Sequence, residues 1–153
     1  MTYEELIIEG ENEGLTIKEK PLTAHDGRIK GNKIAIRNSL TTVQKKCVLA
    51  EELGHHYTTS GDILEQTTVS DQKQELQSRL WSYNKLIGLM GIINAYKAGC
   101  KTQHDMANYL DVDESFLADA LKRYKSKYGV FTTIDDYIIY FEPSIAILEL
   151  HSL

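Results

Sequence analysis

Two carboxylates and two imidazoles fall within six residues near the middle of the chain: Glu51, Glu52, His55 and His56. Residues four apart on a helix lie one above the other, so Glu51 and His55 share a face, with Glu52 one position round. A carboxylate stacked on an imidazole is a donor pair for a divalent cation. A second carboxylate beside it can take a proton from a bound water. The spacing is that of the H-E-x-x-H helix, whose first and fifth positions bind zinc and whose second-position glutamate activates water. Here Glu51 stands in the first position, and a carboxylate is a legitimate zinc ligand. A solvated helix face also collects glutamates and histidines. Glu52 and His56 form a competing pair four apart, although that register leaves Leu53 where the base should be.

The elements around this segment must position it. Thr41 with Gln44 three residues on is a capping-box signature. Val43, Cys47, Ala50 and Leu53 then recur at helical spacing, which predicts a helix over 43–57. Gly54 lies inside that helix at a cost of about 1 kcal/mol relative to Ala, which signals close approach by another backbone or strand. Upstream, Tyr3, Leu6 and Ile7 form the apolar face of a short helix closed by Gly14. Leu15, Ile17, Ile29, Ile34 and Ile36 alternate with polar residues as half-buried strands do, and Gly31-Asn32 marks a hairpin over 28–37. The strand at 34–37 is expected to hold an extended peptide substrate by backbone hydrogen bonds. Downstream, 58–70 reads as a loop and 72–88 as a second long helix with Leu76, Leu80, Tyr83 and Ile87 on its apolar stripe. A further helix over 89–98 ends at Gly99.

The run Cys47-Val48-Leu49-Ala50-Glu51-Glu52-Leu53-Gly54-His55-His56-Tyr57 resembles the active helix of the ImmA/IrrE metallopeptidases, and within them the phage and integrative-element branch of Gram-positive bacteria. The segment Gln74-Glu75-Leu76-Gln77-Ser78-Arg79-Leu80-Trp81 is similar to that branch's second helix, and Tyr140-Phe141-Glu142-Pro143 to its C-terminal end. The resemblance implies a metal held by Glu51, His55 and Glu75, with Glu52 as general base. His56 and Tyr57 are candidates for contact with substrate or for supporting the ligands, and Asp62 is a second-choice carboxylate. It also implies site-limited cleavage of a partner transcriptional repressor, which would derepress a prophage or integrative element. A non-catalytic module that sequesters the repressor is the alternative.

Glu51 in place of histidine has a physical consequence. Two carboxylates and one imidazole neutralise the formal charge of a divalent ion, which weakens it as a Lewis acid and raises the pKa of its water. Harder ligands also move preference from zinc toward manganese or magnesium. Zinc is the expected ion and manganese the second. His25, His104 and His151 read as ordinary surface histidines. Trp81, Tyr83 and Leu80 read as core, and Cys47 as a small buried hydrophobe.

From residue 99 the pattern changes. A capped helix over 102–110, the connection Asp111-Val112-Asp113 and a helix over 114–128 have helix-turn-helix dimensions. The second helix opens on Asp113-Glu114-Ser115, which would repel phosphate, and residues 101–128 hold five basic and five acidic side chains. Direct DNA binding is therefore the third reading only. A hairpin follows over 131–141, ended by Pro143. The 153 residues, 42% hydrophobic with a net charge of −5, fit a metallopeptidase-like core over 1–98 and an annex over 99–153, packed as one α+β protein. No apolar stretch approaches the ~20 residues of a membrane span, and the acidic start is unlike a secretory signal. Two cysteines make no disulfide framework, so the expected location is the cytoplasm.

Overall fold

The computed structural model describes residues 1–59 and 68–151. The candidate carboxylate Asp62 lies outside them. The fold is α+β, with six helices and two three-stranded sheets among the described residues. The chain divides into two compact units, Met1–Leu86 and Ile87–Leu153.

The first unit opens with α1 (Tyr3–Asn12), started by a capping box in which Thr2 Oγ1 accepts from the Glu5 backbone N–H. Gly14, at φ +86°, turns the chain out of this helix. Strands β1 (Thr16–Lys20), β2 (Gly27–Lys30) and β3 (Lys33–Arg37) form a sheet in the order β1-β3-β2, with β3 parallel to β1 and antiparallel to β2. The Gly31-Asn32 turn joins β2 to β3 as the sequence predicts, with Gly31 at φ +60°.

Helix α2 (Thr42–Thr58) follows, and the Thr41–Gln44 capping box is present in both directions. Tyr3, Leu6, Leu15, Ile34, Ile36, Leu49, Ala50 and Leu53 close into the core that joins α1, the inner sheet face and α2. Full burial of a Leu- or Ile-sized side chain contributes roughly 1.5–3 kcal/mol. Each such contact holds α2 at one height and rotation on the sheet.

Helix α3 runs from Thr68 to Leu86, starting before the expected residue 72. Tyr83 and Ile87 of the expected stripe are buried, but the N-terminal part of the stripe differs. Leu76 is exposed, while Ser78 and Ser82 are fully buried beside Tyr83. Small residues occupy the stripe because this helix lies against the backbone of α2 rather than on a layer of large side chains.

The second unit contains α4 (Gly88–Lys97), α5 (Gln103–Leu110) and α6 (Glu114–Tyr128). Asp111 takes the left-handed conformation at φ 54° and turns α5 toward α6. Strands β4 (Phe131–Ile134) and β5 (Tyr137–Tyr140) form the expected hairpin, and β6 (Ala146–Glu149) adds a third strand beyond Pro143 that the sequence reading lacks. With only Ile147 half-buried, β6 carries almost no alternation to read. The core of this unit contains Ile92, Ile93, Leu117, Ala120, Tyr124 and Ile139. No described helix is long and apolar enough to cross a membrane.

Candidate active site

Gly54 sets the distance between α2 and α3. A Cβ built on it would stand 2.2 Å from the Ser78 carbonyl oxygen and 3.0 Å from the carbonyl carbon. The interior glycine therefore marks close approach by another backbone, as its position in the sequence predicts. That backbone belongs to α3, one turn beyond Glu75. Ser78 Oγ donates to the Glu75 carbonyl, and Ser82 Oγ to the Arg79 carbonyl, so hydroxyls in the crossing are satisfied by their own helix.

The crossing brings Glu75 to His55. Glu75 Oε2 lies 3.3 Å from His55 Nε2, and Glu75 Oε1 accepts from Arg79 Nε at 3.0 Å. Two ligands of one tetrahedral ion, each about 2.1 Å from it, stand about 3.4 Å apart. By that measure His55 and Glu75 fit adjacent positions on a divalent ion. The predicted set of Glu51, His55 and Glu75 is not closed, because no three His, Cys, Asp or Glu side chains among the described residues are gathered tightly enough to hold an ion.

Glu52 stands one turn before His55 on α2 and lines the same cleft. Burial, then the charges of Glu51 and Glu75, push its carboxyl up to about 7. Glu51 and Glu75 thus both act on Glu52 beside His55, and the Arg79 guanidinium offsets the charge of Glu75.

The wall facing Glu52 is strand β2. A Cβ on Gly27 would stand 2.5 Å from Val48 Cγ1 and 3.1 Å from Glu52 Cγ and Oε1, so glycine lets the strand lie directly on the helix at the candidate base. His25, Gly27, Arg28, Ile29, Glu52, His55 and Thr59 line the open cleft between them. His25 reads as ordinary surface in the sequence, yet it borders this cleft. The segment 21–26 that carries it is tied down by Arg37, whose guanidinium donates to the Thr23 carbonyl and pairs with Asp26. Nothing in residue type or spacing marks His25 or Gly27, because a loop residue and a strand end acquire their place from tertiary structure alone.

The strand expected to bind substrate is corrected. Strand β3 is central, paired with β1 on one side and β2 on the other, and has no free edge. The edge at the cleft belongs to β2, whose second side is unpaired among the described residues. The Asp26 carbonyl accepts from the Arg37 N–H at 2.7 Å. Antiparallel alternation then turns the backbone groups of Gly27 and Ile29 outward along that edge.

His56 and Tyr57 do not line this cleft. The Tyr57 ring stacks on Trp81 with centroids 4.8 Å apart and is met edge-on by His56 at 5.1 Å. Burial, then the charges of Glu13 and Glu9, raise the Tyr57 hydroxyl pKa, which sets it toward α1. The competing Glu52–His56 register gains no support, since His55 rather than His56 meets Glu75.

The profile of the Peptidase_M78 family, the IrrE N-terminal-like domain, matches residues 11–122, well over half of the chain. The chain belongs to this family. It thus carries a metallopeptidase-like domain of the IrrE type, and the family implies a divalent metal. No curated protein matches the sequence.

Proposed function

We propose that the chain is a metal-dependent endopeptidase of the phage and integrative-element branch that its sequence resembles, and that it cleaves a partner transcriptional repressor. The observation that carries this reading is the 3.3 Å approach of Glu75 to His55, beside a half-buried Glu52 that lines a cleft under a strand edge. Held by His55, Glu75 and Glu51, a divalent ion, zinc in preference to manganese, would supply Lewis-acid polarisation of the scissile carbonyl and of a water. The chain's own groups do the remaining work. The outward backbone groups of Gly27 and Ile29 hold the substrate extended along β2. Glu52 accepts the proton of the attacking water on its carboxylate and returns it to the leaving amine. Arg79 holds Glu75 toward His55, so the ligand pair is oriented before substrate arrives.

Incubation with the repressor encoded beside this protein tests the reading. Two repressor fragments from the wild type and none from Glu52→Gln are expected. Cleavage that survives Glu52→Gln would overturn the base assignment. The open ligand set, with Glu51 in the first position, favours a second reading in which the same cleft sequesters the repressor without cutting it. A stable complex with no fragments is its signature.

A further inference from the structure

The face of the N-terminal sheet turned away from the core carries a concentration of positive charge that neither the fold nor the cleft chemistry requires. Period-two alternation places Ile17, Ile29, Ile34 and Ile36 on the inner side. Lys18 and Lys20 of β1, Arg28 and Lys30 of β2 and Lys33 of β3 therefore fall together on the outer side, where they line one groove with Ala35 at its floor. All five are exposed, and none has an acidic partner within salt-bridge distance among the described residues. Lys30 and Lys33 stand directly opposite each other across the antiparallel pair. Like charges in that relation destabilise a sheet, so the arrangement costs the fold something and gives the isolated chain nothing back.

We infer that this face docks an acidic, extended segment of the protein substrate, continuous with the segment in the cleft; the inference rests on the peptidase reading above. Four observations select this occupant. Arg28 lines both the cleft and the basic groove, so one peptide can leave the first and enter the second without a gap. Alternate side chains of an extended peptide repeat at about 6.7 Å, the same interval that separates Lys18 from Lys20 and Arg28 from Lys30 along their strands. A chain of net charge −5 with five positive charges set on one face carries −10 elsewhere, which repels a polyanion as large as a nucleic-acid duplex but not a short acidic segment confined to the groove. No aromatic side chain lines the groove either, so it offers no platform for stacking the bases of a single strand.

Fluorescein-labelled deca-glutamate, titrated into the full-length protein at low ionic strength and followed by anisotropy, tests the inference without requiring peptidase activity. Saturable binding is expected, weakened about tenfold or more by Lys18→Gln, Lys30→Gln and Lys33→Gln together, and weakened by added salt. The triple variant should remain folded by circular dichroism, since it relieves like-charge repulsion, and Glu52→Gln should bind as the wild type does. No saturable binding, or equal binding by the triple variant, would overturn the inference. So would a duplex of about 20 base pairs that binds where the peptide does not. Peptide binding in a protein that never cleaves the repressor would remove the peptidase reading and leave the face as an acidic-peptide site. Repressor cleavage without peptide binding would do the reverse.

Discussion

Gly54 and Ser78 are in backbone contact: a Cβ on the first would stand 2.2 Å from the carbonyl oxygen of the second. That contact lets Glu75 of α3 reach His55 of α2. Alanine at position 54 would gain about 1 kcal/mol in helix propensity. Overpacking costs about 1–3 kcal/mol where side chains can give way, and here a main-chain carbonyl has to move. Gly54→Ala should therefore lower stability by about 2 kcal/mol or more in urea denaturation and reduce metal occupancy with it. A variant as stable as the wild type would contradict the close crossing.

Gly27 does for the strand edge what Gly54 does for the helix pair. A Cβ there meets Val48 and Glu52, so Gly27→Ala should push β2 off the candidate base. We expect kcat/KM for repressor cleavage to fall about tenfold, equivalent to about 1.4 kcal/mol of lost transition-state stabilisation. The unfolding free energy should also fall by about 1–3 kcal/mol, because Val48, stiff at χ1 inside a helix, cannot turn aside. Unchanged cleavage would separate β2 from the substrate path.

Partial burial disfavours the ionised Glu52 carboxylate, and the like charges of Glu51 and Glu75 add to the cost. Glu52→Gln should thus stabilise the metal-free protein at pH 8 by about 1–2 kcal/mol while removing cleavage. The gain should be read as a higher urea midpoint after chelation. A loss of stability would mean that the carboxylate is structurally favoured where it stands.

Much of this site is legible in the sequence because local rules govern it. Thr41 and Gln44 fix the start of α2, helical spacing then places Glu51, Glu52 and His55, and Gly54 declares itself as a residue the helix would not choose unaided. Glu75 is legible only through resemblance, since its relation to His55 depends on how two helices cross. The same crossing defeats the pattern of apolar residues on α3. Leu76 reads as core but is exposed, and Ser78 and Ser82 are buried beside the expected Tyr83, because a backbone-to-backbone approach selects small side chains. Lys46 is equally hidden from a pattern reading. It is almost fully buried, with its ammonium donating to the Met1 carbonyl. His25, Gly27 and the edge of β2 are brought to the cleft only by the sheet order β1-β3-β2, which no local pattern encodes.

Tyr3 gives the first unit a dependence on alkaline pH. Burial, then Glu19 and Glu4, push its hydroxyl from 10.0 up to about 12. The folded state holds the proton more tightly than the unfolded chain, so this contribution is fully present below pH 10 and is lost as pH rises through 12. Its size is about 2 kcal/mol. Tyr3→Phe should flatten the fall in stability over that window, measured by urea titrations at stepped pH. An unchanged slope would show that Tyr3 is not the group responsible.

The most direct test of the central claim is the metal content of the purified protein, measured by elemental analysis beside His55→Ala and Glu75→Ala. About one zinc or manganese per chain is expected in the wild type, with loss of the ion in both variants. A wild type that stays metal-free after zinc is supplied, or a His55→Ala protein that keeps its ion, would contradict that claim.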